Sequence, residues 1–410
     1  MSQPGNIGSE RSAHRRRVAE LCRRTARRAG LKGPASVALV LAATEHSDQI
    51  RRVSEPALSG ASGTPEISAA SFESLVAEMT KAILGRRPLN KVLHLAVGIL
   101  EACDEFDDAV ESSALDGASI PTVIGEFFED GALRIEPCIL NTLRRVISPA
   151  EDFTKSLPRL ARELPALPAA AIGLMQTSDK SSMAELESIV ASDPLLAGRL
   201  VRAANSAHFS ARAEVRYVSQ AILRVGIPFA RKVLLASCFG RVFASRATAP
   251  LWEHSMRVAV HAHELASECG YDRDLAYIAG MVHDIGRLIT QRAAAATRLE
   301  EEDLLAAGFP LTYAECLIYG TDHAALGSDI LKRWKLPPEI AEAVAFHHRP
   351  ESTKSVLAGL LNLAEDAASA PRSEAPWLGM RRAAAEQLTG IHTVPGHRAE
   401  EKSVIWSLAS

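Results

Sequence analysis

From residue 168 onward, apolar positions recur three and four residues apart, and run after run opens on a capping side chain or a proline. Pro168 leads a run that ends near Gln176. Ser182-Met-Ala-Glu185 has serine at a cap and glutamate three residues on, the reciprocal arrangement that satisfies two free amides at a helix start. Asp193-Pro194 joins an aspartate cap to proline at the first helical position and predicts a helix through Leu200 and Val201 to Asn205. Pro228, Pro250 and the pair Pro337-Pro338 open three more. No stretch alternates apolar and polar residues as a half-buried strand does, so the fold class predicted is all-α.

The N-terminal part carries weaker patterns. Helices are expected at 68–84, 90–103 and 136–148, the second with a broad apolar face of Val92, Leu93, Leu95, Ala96, Ile99 and Leu100. The acidic run Asp104 to Glu111 and the turn-rich stretch Asp116 to Pro121 are expected to separate these helices. Ser54 to Pro65 reads as a linker. The apolar stretch Ala35 to Ala43 follows an Arg-rich leader too long for an export signal, and Glu45 and His46 follow at once, so it reads as a buried element. The resulting scheme is a basic segment and linker over 1–66, and a smaller, mainly helical region of unassigned role over 67–150. A main helical domain follows over 151–370, with halves 151–245 and 246–370. A tail covers 371–410, with weak helical patterns at 375–388 and 402–408.

Composition refines this picture. Aromatic residues make up 5% of the chain and charged residues 23%, the balance of a helical globular protein. A net charge of -3 gives no overall attraction to nucleic acid or anionic membranes. Six scattered cysteines without a Cys-x-x-Cys pair argue against a zinc ribbon and fit a reducing cytosol, so a cytoplasmic location is expected. Positive charge gathers in residues 1–34, at Arg15, Arg16, Arg17, Arg23, Arg24, Arg27, Arg28 and Lys32, over a narrow stripe of Val18, Leu21, Cys22 and Thr25. Contact with nucleic acid, anionic lipid or an acidic partner is one reading. A solvated terminal helix is the preferred one, and with no aromatics interleaved with the charge a base-stacking role has no support.

Candidate chemistry concentrates in the second half. Seven of the thirteen histidines lie between 254 and 348: His254, His261, His263, His283, His323, His347 and His348. Imidazoles with nearby carboxylates suit a divalent transition metal. The strongest candidate is Ala279-Gly-Met-Val-His283-Asp284-Ile-Gly-Arg287, an apolar helix delivering His and Asp side by side. A charged Asp284 among Met281, Val282 and Ile285 is costly without a metal or cation partner. His254 sits on the preceding helix, His323 in a first helical turn, His347-His348 at a helix end, and Glu365 on the helix after that.

This order of His, His-Asp, His, His-His and a late carboxylate is similar to the HD superfamily of phosphohydrolases. The segments Leu164 to Pro168, Ala191 to Leu196, Arg202 to Phe209, Val218 to Gly226 and Leu331 to Glu339 resemble the HDOD family, over about 155–350 and onward to 370. The resemblance implies that His254, His283, Asp284 and Glu365 hold one divalent metal (Fe, Mn, Zn or Mg) that activates water. It places a second ion on His323, His347 or His348, with Asp284 and Arg287 as the catalytic residues in an active enzyme. Three departures stand against turnover. Glu365 replaces the expected aspartate, with Asp366 one residue out of phase. Arg287 stands where cyclic-dinucleotide phosphodiesterases carry lysine. No Gly-Tyr-Pro follows His347-His348-Arg-Pro-Glu-Ser, which argues against hydrolysis of cyclic di-GMP. The expected role is therefore a bacterial regulatory output module that binds a protein partner, with a metal or nucleotide in its cleft. The alternative is a metal-dependent phosphohydrolase acting on a nucleotide or cyclic nucleotide.

Overall fold

A computed structural model of the chain describes residues 6–31, 36, 39–40, 42–44, 90–115, 118–130, 135–147, 151–178, 180–206, 209, 214–368 and 376–392. The helix expected at 68–84, the linker 54–65 and the pattern at 402–408 lie outside these. Among the described residues every regular element is helical and there is no strand, as the absence of alternation predicted. The described residues divide into two compact units, one from 1–155 with 293–322 and 376–380, the other from 156–292 with 323–368 and 381–392.

The first unit packs the helices Asn6–Arg28, Asn90–Leu115, Ile120–Asp130 and Pro137–Ile147 with two from much later in the chain, Ala295–Ala306 and Leu311–Tyr319. Leu21, Ile99, Phe106, Leu143, Leu304, Tyr313 and Leu317 belong to its single core. Phe106 sits edge-on to Phe127 at 5.1 Å between ring centres. Leu39, Ala42 and Ala43 of the short apolar stretch are buried there as well.

Two expectations for this unit are corrected. The acidic run does not end the second helix, which continues unbroken to Leu115. Asp104, Asp107 and Glu111 recur at helical spacing and so share a face, and that face meets the first helix. Nor is the first helix merely a solvated basic rod. Arg17 is fully buried, bonded from Nε to Asp107 Oδ1 at 3.0 Å and from Nη2 to Asp107 Oδ2 at 2.8 Å, with Glu111 as a further partner. Buried His14 lies 2.8 Å from Asp107 and 3.0 Å from Asp104 through its two ring nitrogens. Acids that look like a break in one helix neutralise bases on another.

The second unit opens with a layer of Ala169–Gln176, Met183–Ala191, Pro194–Ala204, Val218–Val225 and Ile227–Gly240. The starts follow the expected signals. Ser182 and Glu185 form the reciprocal cap, and the Asp193 carboxylate accepts from the Leu195 amide at 3.0 Å. Asn205 both donates to the Val215 carbonyl and accepts from its amide, each at 2.8 Å, and so pins the chain returning toward the next helix. Buried Arg231 ties this layer to the next. It donates to Asp274 at 2.6 Å, to the Thr177 hydroxyl at 2.9 Å and to the Thr177 carbonyl at 2.6 Å.

The remaining helices of this unit, Ala249–Glu268, Arg273–Val282, Arg287–Thr290, His323–Arg333, Pro338–Phe346 and Val356–Ala368, carry or flank the clustered histidines. Helix Pro376–Thr389 coincides with the tail pattern expected at 375–388.

Candidate metal centre

Glycine sets the closeness of the elements that bring the histidines together. A Cβ on Gly280 would lie 2.4 Å from Ala259 Cα, so the helices Ala249–Glu268 and Arg273–Val282 cross backbone to backbone there. That crossing brings His254, on the first, toward His283, with ring centres 5.2 Å apart. A Cβ on Gly286 would lie 2.0 Å from the His323 carbonyl oxygen and 2.7 Å from the Gly327 amide nitrogen. The turn after His283 therefore rests directly on the first turn of the helix His323–Arg333.

His283 and Asp284 differ in placement from the expectation of an uninterrupted helix. Regular helix ends at Val282, His283 occupies the C-cap, and Asp284 starts a tight turn in which the Arg287 amide donates to the Asp284 carbonyl at 3.0 Å. His347 likewise caps the helix Pro338–Phe346. Both capping imidazoles donate from Nδ1 to a carbonyl of their own last turn, His283 to Gly280 at 2.8 Å and His347 to Val344 at 2.7 Å. Each bond fixes the tautomer, so Nε2 carries the lone pair and points away from the helix end.

Those lone pairs converge. His283 Nε2 is 3.6 Å from Asp284 Oδ1, His254 Nε2 is 4.0 Å from Asp284 Oδ2, and His323 Nε2 is 3.1 Å from Asp284 Oδ1. His348 Nε2 lies 2.9 Å from His323 Nε2, and His348 Nδ1 lies 3.5 Å from Glu365 Oε2. Glu365 Oε2 is also 3.9 Å from His347 Nε2. The donor atoms fall into overlapping sets: His254, His283 and Asp284; Asp284, His323, His347 and His348; and His283, His347 and Glu365. Within each set the donors lie within 4.8 Å of one another. All seven residues expected as metal ligands are thus gathered in one place.

Burial sets the charge of these groups. It pushes His283 and His347 down to about 4, so both are neutral imidazoles at neutral pH. Burial and the neighbouring His347 and His323 hold His348 well below its ordinary range. Burial alone would raise Asp284, but His283, His323 and Arg287 outweigh it and keep the carboxylate ionised. Arg287 Nη1 approaches Asp284 Oδ2 at 3.7 Å and is partly open to solvent. Neutral imidazole lone pairs around an ionised carboxylate are the donor set of a divalent transition metal. Buried imidazole nitrogens also demand partners, and Nε2 of His283 and of His347 has no hydrogen-bond partner in the protein. An ion fits that demand.

Of the remaining histidines, His261 pairs with Glu264 at 3.7 Å and His263 contacts Arg273 at 3.4 Å, outside the cluster. Glu365 rather than Asp366 faces it, Asp366 lying 3.9 Å from Arg382. Sequence reasoning missed Asn362, whose side-chain amide donates to the His347 carbonyl at 2.8 Å and fixes the capping residue from the next helix. Its position three residues before Glu365, on the same helical face, was the available signal.

An all-α domain that presents His, His-Asp, His, His-His and a carboxylate from successive helices has the HD-type arrangement. The HDOD domain family model matches residues 164–350, and this stretch of the chain is an HDOD domain. Among curated proteins, an uncharacterized protein of Treponema pallidum is 24% identical over 206 residues, which cover 48% of this chain and 40% of that protein. Ribonuclease Y of Campylobacter concisus is 33% identical over 119 residues, covering 29% of this chain and 18% of that enzyme. The chain thus spans less than half the length of either relative. Among solved structures, an HDOD domain protein of unknown function from Geobacter sulfurreducens is 20% identical, covers 62% of this chain and 88% of its own, and has a TM-score of 0.45.

Proposed function

We propose that the HDOD domain is a regulatory module whose histidine cluster holds a divalent metal, and that the metal fixes the helices a partner protein reads. The observation that carries the metal is the pair of buried, tautomer-fixed Nε2 atoms of His283 and His347, which have no hydrogen-bond partner in the protein. His254, His283, Asp284, His323, His347, His348 and Glu365 would hold it. When bound, the ion supplies positive charge that polarises a coordinated oxygen ligand. The protein's own contribution is to keep the imidazoles neutral, the carboxylate ionised and the Nδ1 atoms committed to carbonyls. The regulatory reading rests on the domain family together with Glu365 in place of aspartate and the missing Gly-Tyr-Pro.

The test is metal content after purification and loading with Mn²⁺, Fe²⁺ or Zn²⁺ at neutral pH. The wild-type chain is expected to retain at least about one ion, and His283→Ala or Asp284→Ala to lose it. A wild-type chain that keeps less than about a fifth of an ion after loading with each metal would overturn the reading.

One feature favours a second reading, a metal-dependent phosphohydrolase. Asp284 belongs to two ligand sets at once, the shared carboxylate that a pair of ions requires. The likeness to ribonuclease Y supports phosphodiester chemistry as the class to screen. Hydrolysis of a nucleotide or phosphodiester that disappears in Asp284→Ala would establish it, and activity that survives that change would dismiss it.

A further inference from the structure

The basic residues of the first helix serve two separate ends. Arg17 turns inward to Asp107 and Glu111, as described. Arg23, Arg24, Arg27 and Arg28 occupy the last two turns and, with Arg145 of the helix Pro137–Ile147, line a cleft of about 550 Å³ within the first unit. Leu317, Ile318 and Val146 supply its apolar lining, and Glu300 and Asp303 are its only carboxylates among the described lining residues. A chain of net charge -3 therefore gathers five guanidinium groups around one cleft against two acids.

Two of the five are already braced. Arg23 grips Glu20 through two bonds of 2.6 Å, and Arg24 donates to Glu20 at 2.9 Å and to the Glu300 carbonyl at 2.7 Å. Among the described residues Arg27, Arg28 and Arg145 have no carboxylate within ion-pair distance. The negative end of the helix dipole offsets part of the charge of Arg27 and Arg28, but it amounts to only about half a unit and does nothing for Arg145 on another helix. Guanidinium groups gathered around one cleft, two of them held by side-chain contacts, suit a dense anion, and the planar fork matches phosphate oxygens.

We propose that this cleft binds the di- or triphosphate chain of a small molecule, independently of the histidine cluster. A chain of two or three phosphates presents more oxygens to five guanidinium groups than a single carboxylate or phosphate does. Nucleic acid is disfavoured because no aromatic side chain is among the described residues lining the cleft, so none is there for base stacking.

The test is calorimetric titration of the full chain with ATP and, separately, with inorganic tripolyphosphate. EDTA is present throughout, so that binding through an ion in the histidine cluster is silent. Binding of either probe is expected, weakening as salt rises. Arg27→Glu and Arg145→Glu change exposed side chains, so the fold should survive, as circular dichroism can verify. Each is expected to weaken binding about tenfold or more. Arg216→Glu, an exposed arginine of the other unit beside Glu214, should leave affinity unchanged. Tripolyphosphate binding as well as ATP identifies the phosphate chain alone as the determinant, and ATP binding better shows that the apolar lining contributes. Failure of both probes to bind, affinity indifferent to both charge reversals, or binding confined to single-stranded oligonucleotides and growing with their length would each overturn the proposal.

Discussion

Arg17 has no access to water, and acids from a helix some ninety residues away answer its charge. Burial works against that charge, but the Asp107 carboxylate outweighs it, and Asp107 is itself drawn down to about 2 against the cost of burial by Arg17 and His14. Removing one partner of such a pair leaves a buried charge unanswered, so Arg17→Met is expected to destabilise the first unit by about 3–5 kcal/mol, read as a lowered urea midpoint. A loss below about 1 kcal/mol would show that the carboxylates find other partners. The neutral histidines carry a pH dependence of their own. In the metal-free protein His283 and His347 take up protons near 4, whereas in the unfolded chain they do so near the ordinary 6.5. Between those values the unfolded state binds more protons, so stability rises with pH across the window and is lost as pH falls through it. Urea unfolding of the metal-free chain at the two ends of the window checks this, and equal stability at both ends would contradict buried neutral imidazoles.

At the scale of elements, the histidine cluster depends on glycines as much as on its donors. Gly286 has an ordinary helical φ of -61°, so alanine there meets no backbone strain, only the backbone of the facing helix at His323 and Gly327. Because that obstacle is backbone, Gly286→Ala must push the Asp284 turn off the helix His323–Arg333. The expected loss is about 1–3 kcal/mol, with metal retention falling in parallel. Gly125 is the control: it lies in a helix with nothing near its missing Cβ, and alanine there should stabilise by up to about 1 kcal/mol. Thermal unfolding of both variants separates a packing effect from a propensity effect. The starts of these helices were legible because caps and prolines are local chemistry: Ser182 with Glu185, Asp193 with Pro194, and Pro338. The close approaches were not, because a glycine inside His283-Asp284-Ile-Gly286 looks the same whether or not another backbone lies against it. The acidic run from Asp104 to Glu111 misled for a related reason. Its charges look solvated until His14 and Arg17 are placed opposite them.

The whole molecule is not assembled in chain order. The cluster was readable because its donors are chemically distinctive, with His323 at a helix start and His283 and His347 at helix ends, so their order survives the long gaps between them. Membership of the first unit was not readable, since the helices Ala295–Ala306 and Leu311–Tyr319 have ordinary apolar faces that name no partner. Leu304, Tyr313 and Leu317 nevertheless share a core with Leu21, Ile99 and Phe106, although the segment carrying them lies within the stretch that matches the HDOD family. A fragment beginning at residue 156 would contain the entire matched family region and still keep those two helices without the faces that cover them. It is expected to bind a hydrophobic dye and to self-associate, whereas the full chain does not, because buried apolar side chains become an exposed patch. Co-expression with residues 1–155 should suppress both behaviours by restoring the shared core. A fragment that stays monodisperse, excludes the dye and unfolds cooperatively alone would show that these two helices need no N-terminal partner.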